Sequence, residues 1–153
     1  MFLSSAGNDF INRFRLAGHD IEIEPPVFVP LDIIMTVCVK EGYFRDKVKQ
    51  ELLEIFGSGN LPGGKRGFFH PDNFTFGQPV YLSQVINAAM LVTGVKWVDL
   101  SGDKNRFRRW GESAHREVEE GQISIGRLEI ARLDNNPSAP ENGKIEFIME
   151  GGL

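Results

Sequence analysis

The run Leu31-Asp-Ile-Ile-Met-Thr-Val-Cys-Val-Lys40 reads as a strand largely covered on both faces. Side chains of a strand alternate between its two sides, so Ile33, Met35, Val37 and Val39 point one way and Ile34, Thr36 and Cys38 the other. Both sets are largely apolar. A strand of that kind is expected at the centre of a sheet, with both faces covered. Val27-Phe-Val29 leads into it through Pro30, and Ile21-Glu-Ile-Glu24 alternates ahead of the Pro25-Pro26 break.

Beyond the strand the spacing turns helical. Phe44, Val48, Leu52, Ile55 and Phe56 form one stripe, Lys47, Lys49, Glu51 and Glu54 take the wet side, and Gly57 sits where a left-handed C-terminal cap is expected. Leu82, Val85, Ile86, Ala89 and Met90 predict a second helix that ends before Gly94. Between the two, Phe68 and Phe69 are separated from Phe74 and Phe76 by His70-Pro-Asp-Asn73, whose turn composition predicts a short hairpin. Val95-Lys-Trp-Val-Asp-Leu100 reads as a strand closed by Ser101-Gly102. Strand, helix, strand pair, helix, strand is the order of an α+β fold, a split βαββαβ (ferredoxin-like) sheet with both helices on one face.

Near the end, Gly126-Arg-Leu-Glu-Ile-Ala-Arg-Leu-Asp-Asn135 and Ile145-Glu-Phe-Ile-Met149 alternate on either side of a turn-rich loop, which predicts a C-terminal β-hairpin. Phe10, Phe14 and Ala17 have helical spacing before Gly18. The expected organisation is therefore an N-terminal helical lead-in over 1–20, an α+β sandwich over 21–102, a connector over 103–121 and the hairpin over 122–153, all in one compact domain. A chain of 153 residues with 41% apolar and 25% charged residues can bury such a core.

The balance of 17 basic against 21 acidic residues, a net charge of −4, supplies no global field toward nucleic acid or an anionic membrane. No apolar run approaches the ~20 residues of a membrane span. The opening Met-Phe-Leu-Ser-Ser-Ala-Gly is too short and polar for a signal peptide, so the chain is read as soluble and not secreted by the general route. A single cysteine, Cys38, excludes an internal disulfide and is expected to be a buried, inert thiol.

Candidate chemistry is sparse. Gly59-Asn-Leu-Pro-Gly-Gly-Lys65 matches the start of a phosphate-binding loop, but Arg66 stands where a Ser or Thr must hold magnesium, and the loop leaves a helix instead of entering one. Arg66-Gly-Phe-Phe69 has the look of an RNA-stacking strand, for which sheet-to-helix core packing is the plainer account. His19, His70 and His115 have no metal spacing, and no nucleophile elbow is present. The reading is of a protein that is not an enzyme, with no catalytic residue, cofactor, metal or small-molecule substrate. An RNA- or nucleotide-binding α+β module is the alternative.

Two surfaces stand out instead. Arg106, Phe107, Arg108, Arg109 and Trp110 interleave arginines with aromatics, the composition of an interface hot spot, unless Phe107 and Trp110 tuck onto the core. Arg127, Glu129 and Arg132 are expected on the polar side of the hairpin, with Asp134 beyond them, and its open edge could add to a neighbour's sheet.

Val29-Pro-Leu-Asp-Ile33 with Thr36-Val-Cys-Val-Lys40, Gly67-Phe-Phe-His-Pro-Asp-Asn-Phe-Thr-Phe-Gly-Gln-Pro-Val-Tyr-Leu-Ser83, Phe107-Arg-Arg-Trp-Gly111, and Gly126-Arg-Leu-Glu-Ile-Ala-Arg-Leu-Asp-Asn135 with Pro140-Glu-Asn-Gly143 carry a resemblance. Together they resemble the C-terminal part of a baseplate assembly protein, a family similar to the J-like baseplate wedge proteins of contractile phage tails and related injection systems. The resemblance runs from about residue 15 onward. It implies a structural, non-catalytic part of a contractile tail baseplate, joined to other wedge subunits or to itself. It also implies no nucleic-acid or membrane partner, assembly in the cytoplasm and residence in the tail or injection particle. Members of that family are several times longer, so the chain is expected to be a fragment of a longer one.

Overall fold

The computed structural model describes residues 25–113 and 116–153. The lead-in over 1–20, the alternating Ile21–Glu24, His19 and His115 lie outside the described residues. Strand β1, Val27–Val39, is 13 residues long and continues straight through Pro30. It is the central strand the alternation predicts, and the other four strands of its mixed sheet all pair with it.

Those four strands lie in tandem along its two edges. β3, Val95–Asp99, and β4, Arg106–Arg109, both run antiparallel to β1, opposite Thr36–Val39 and Leu31–Ile34 respectively. β6, Glu129–Arg132, and β7, Lys144–Gly151, both run parallel to it, opposite Val27–Pro30 and Asp32–Val39. Carbonyls of successive strand residues point to opposite edges. The Pro30 carbonyl accepts from the Trp110 N–H at the β4 edge, whereas the Val27 N–H donates to Leu128 at the other. Each edge is thus one long strand interrupted by an excursion. Pro30 fits because its missing N–H faces the point where β4 ends.

This arrangement corrects the expected C-terminal hairpin. β6 and β7 point the same way and pair with β1 instead of each other. The turn-rich residues between them are a loop that returns the chain to its own line. The Asp134 N–H donates to Asn142 O at 3.1 Å and the Asn135 N–H to Gly143 O at 3.0 Å, while the Asn135 Oδ1 accepts from the Ile145 N–H. Gly143 closes the loop at φ +101°, a conformation that disfavours other residues. On the opposite edge the Asn105 side chain holds the other excursion, donating to Ile34 O and Thr36 Oγ1 and accepting from the Gly102 N–H. The Ser101 hydroxyl and N–H both donate to Asp99 Oδ1, holding that carboxyl below its usual range.

Helices α1, Arg45–Ile55, and α2, Leu82–Met90, form where the periodicity places them and contact β7, β3 and each other. Their buried side chains, Val48, Leu52, Val85 and Ala89, meet the odd-numbered face of β1, where Leu31, Ile33, Met35 and Val37 are completely buried. Phe44 and Met90, expected in these stripes, are exposed. Gly57 is not left-handed; α1 is closed instead by Phe56 at its C-cap and by the Gly57 N–H, which donates to Glu54 O.

The short hairpin expected around 68–76 is absent from the described residues. Its place is taken by single 3-10 turns, Pro62–Gly64 and Pro71–Asn73, and an isolated bridge between Asn60 and Arg66. Aromatic packing dominates there: Phe56 lies 5.5 Å from Phe68, 6.1 Å from Phe69 and 5.9 Å from Phe147, and Phe69 stacks on Phe74. These rings prefer one another to a pleated surface, and the backbone turns to let them meet. The strand order therefore departs from the expected split βαββαβ arrangement, while the mixed α+β class holds. A separate two-stranded ladder joins β2, Val80–Tyr81, to β5, Gln122–Ile123, which comes directly after the single-turn α3, Glu117–Glu120. No helix among the described residues is long and apolar enough to cross a membrane.

Candidate interaction face

With the helices on the odd-numbered side of β1, the even-numbered side is the outer face of the sheet. Paired residues share a face, so the ladders order it in rows. Phe28 stands beside Ile130, Pro30 beside Arg132, and Asp32 between Arg108 and Lys144. Ile34 stands between Arg106 and Glu146, Thr36 between Asp99 and Ile148, and Cys38 between Trp97 and Glu150. Phe28 and Trp97 are 50% and 42% exposed, so this face is only half covered by its own side chains.

At its middle lies a buried carboxylate. Asp32 is 1% exposed, and its Oδ2 accepts from Arg106 Nη1 at 3.1 Å and Arg108 Nε at 3.2 Å. Its Oδ1 has no partner among the described residues. Two guanidiniums, neighbours by strand alternation on β4, thus close over one acid on the adjacent strand. Each guanidinium carries five N–H donors, so most remain directed elsewhere. Lys144 lies over the Trp110 ring at 5.7 Å and Arg132 over the Phe28 ring at 5.5 Å, so cations and aromatics interleave across the face.

Arg109 and Glu129 sit on the other side of the sheet. Arg109 donates to both oxygens of Glu129, at 3.1 and 2.9 Å, and its Nε lies 3.1 Å from Glu112. The Arg109 hydrogen bonds, helped by the Gly126 N–H, hold the Glu129 carboxyl below its usual range, and Glu129 in turn raises the guanidinium. A carboxylate depressed in the fold stabilises above its unfolded pKa, and that contribution is lost as pH falls through the folded one. Arg109→Met is expected to remove stability of order 1 kcal/mol at neutral pH after solvent screening. It should also make the loss of stability between neutral and acid pH shallower, which denaturant titration at a series of pH values measures.

The arginine and hairpin positions are accordingly dispersed. Phe107 is 3% exposed and registers with Ile33 in the core, so it offers no surface. Trp110 is half-buried, Arg106 and Arg108 lie on the outer face, and Arg109 lies on the inner one. Glu129 and Arg132 do not share a polar side: being three residues apart in β6, they project to opposite faces. Arg132 pairs with Asp134 at 2.8 Å, which raises its own pKa, and Arg127 is exposed. Cys38 is half-buried and a free thiol. Asp32 and Lys144 escaped the sequence reading because an acid within an apolar strand gives no hint of two arginines more than seventy residues away.

An apolar groove of about 340 Å³ opens beside the β6 end, lined by Phe28, Phe69, Phe74, Ile130 and Leu133. His70 Nδ1 accepts from the Asp72 N–H, capping the turn at Pro71–Asn73. No group of three His, Cys, Asp or Glu suited to a metal ion occurs among the described residues. Compared with known proteins, the chain matches no family model, no curated protein and no solved structure.

Proposed function

We propose that this chain is a structural component of a contractile tail or injection-system baseplate, working through protein–protein interfaces and not through catalysis. The observation that carries this reading is the set of motifs resembling the C-terminal part of baseplate wedge proteins, above all Gly67–Ser83 and Gly126–Asn135. The half-covered outer face, on which Phe28, Trp97 and Trp110 alternate with Arg106, Arg108, Arg132 and Lys144, supports it, because aromatic and arginine side chains are enriched where partners dock. In this reading the partners are other wedge subunits or a second copy, the protein assembles in the cytoplasm, and it ends in the particle.

The alternative RNA-binding reading depends on exposed stacking rings. Phe69 is 3% exposed and Phe68 is engaged with Phe56, so these two rings serve the core. The test is to tag the chromosomal gene product and purify sheathed particles from the producing cells. The product is expected to co-sediment with them; recovery only in the unsedimented fraction, or tight salt-sensitive binding of single-stranded RNA, would overturn the proposal.

A further inference from the structure

The outer edge of β7 has a partner chemistry of its own. Odd-numbered residues of β1 direct their N–H and C=O groups toward β7. In the parallel register Ile33↔Ile145, it is then the even-numbered residues of β7 that answer them, and the odd-numbered ones face away. The two ends of that outer edge are capped: the Ile145 N–H donates to Asn135 Oδ1, and Arg45 Nη1 donates to Gly151 O at 3.1 Å. Between the caps, Phe147 and Met149 present their N–H and C=O groups to no described residue. These four main-chain groups, flanked by the Ile145 C=O and the Gly151 N–H and closed off by the two side-chain caps, make a slot for one short strand.

The side chains flanking the slot specify its occupant. On the outer face they are Glu146, whose Oε2 accepts from Lys144 Nζ at 3.1 Å while its side chain stays 56% exposed, Ile148, and the exposed Glu150; on the inner face Phe147 and Met149 adjoin the core. Opposite charges directly across two strands stabilise and like charges destabilise. We propose that the β7 edge accepts an extended segment of another protein in which basic residues alternate with apolar ones, the basic residues lying against Glu146 and Glu150. A second copy of β7 does not fit. The antiparallel register that satisfies Phe147 and Met149 without displacing the Asn135 or Arg45 caps sets Glu146 opposite Glu150. The proposal deepens the assembly reading by naming one partner's chemistry, and it rests on that reading only for where the segment comes from.

The experiment uses the whole 153-residue chain, isotopically labelled. Two blocked seven-residue peptides are compared, one alternating lysine with valine and one alternating glutamate with valine, and amide hydrogen exchange is monitored by NMR. The lysine peptide is expected to slow exchange at Phe147 and Met149 and to bind about tenfold more tightly than the glutamate peptide. In the variant carrying both Glu146→Lys and Glu150→Lys, two exposed positions, that preference should reverse. The proposal is overturned if neither peptide protects these amides, if both protect them equally, or if the amides are already as slow in the free chain as that of Ile148, which faces β1. A chain that takes the lysine peptide yet never co-sediments with sheathed particles keeps this inference and loses the baseplate reading. A chain that co-sediments but ignores the peptide does the reverse.

Discussion

Phe56→Ala is expected to lower the free energy of unfolding by about 3–5 kcal/mol, the range found when a fully buried aromatic is truncated. On a chain of this length that is a fall in Tm of order 10 °C. The size of the effect comes from the segments the ring joins. Phe56 is completely buried at the end of α1 and lies within about 6 Å of Phe68 and Phe69 from the loop and of Phe147 from β7. Three segments distant in sequence meet on one side chain, so the cavity left by alanine has walls anchored in a helix, a loop and a strand that cannot all move inward together. Differential scanning calorimetry of the variant measures the change. A loss below about 1.5 kcal/mol, the cost of a volume-conserving swap, would mean that the aromatic cluster can collapse and does not organise the fold as described.

The same residue shows what the sequence discloses and what it withholds. Phe56 stands at the end of a helical stripe and is legible as core from spacing alone. That Phe68 and Phe69 would reach it by a turn, and not from a strand, was not legible, because paired aromatics read equally well as a hairpin or as a cluster. β1 was legible as the central strand, but the cover expected on both its faces forms on one only: on the even-numbered side Phe28 is exposed and Ile34 and Cys38 are half-buried. Its neighbours were not legible. Alternation in Glu129–Arg132 and Lys144–Gly151 says that each is a strand, and a turn-rich loop between two strands is locally a hairpin. The deciding interactions are the ladders to β1, about a hundred residues earlier, and no local pattern encodes them.

The outer face was legible only by composition. Arginines interleaved with aromatics stand out at 106–110, but period two already implies that Arg106 and Arg108 part company with Phe107 and Arg109 once the segment is a strand. A polar connector, the form the composition of 103–121 suggests, has no such division of faces. Asp32, the acid these arginines share, was hidden for the opposite reason: it lay in the most secure strand of the chain, where a lone carboxylate looked like an interruption. A buried acid in a central strand is a signal in its own right, because it requires cationic or hydrogen-bonding partners from neighbouring strands.

Gly67→Ala is expected to cost about 3 kcal/mol, at the upper end for an overpacking change. A methyl carbon at Gly67 would stand 2.1 Å from the Gly57 carbonyl oxygen and 2.8 Å from its carbon, where real contacts keep at least 3.0 Å. Backbone cannot swing aside as a side chain does. The approach is close because the two segments are tied together: the Gly67 N–H donates to Gly59 O at 2.9 Å, the Phe69 N–H to Gly57 O at 3.1 Å, and the Phe68 N–H to Ile55 O at 2.7 Å. Forcing them apart loosens the bonds that aim Phe68 and Phe69 at Phe56, so the penalty reaches the core through the loop. Gly59→Ala is the control, since a methyl there meets nothing within 4 Å and its φ is not left-handed. That change should be neutral or stabilise by up to about 1 kcal/mol by restricting the unfolded chain. Urea unfolding of both variants separates the accounts. Equal effects would show that the loop tolerates separation from the end of α1, whereas a loss at 67 alone would show that the contact between the two glycines fixes the aromatic cluster against the sheet.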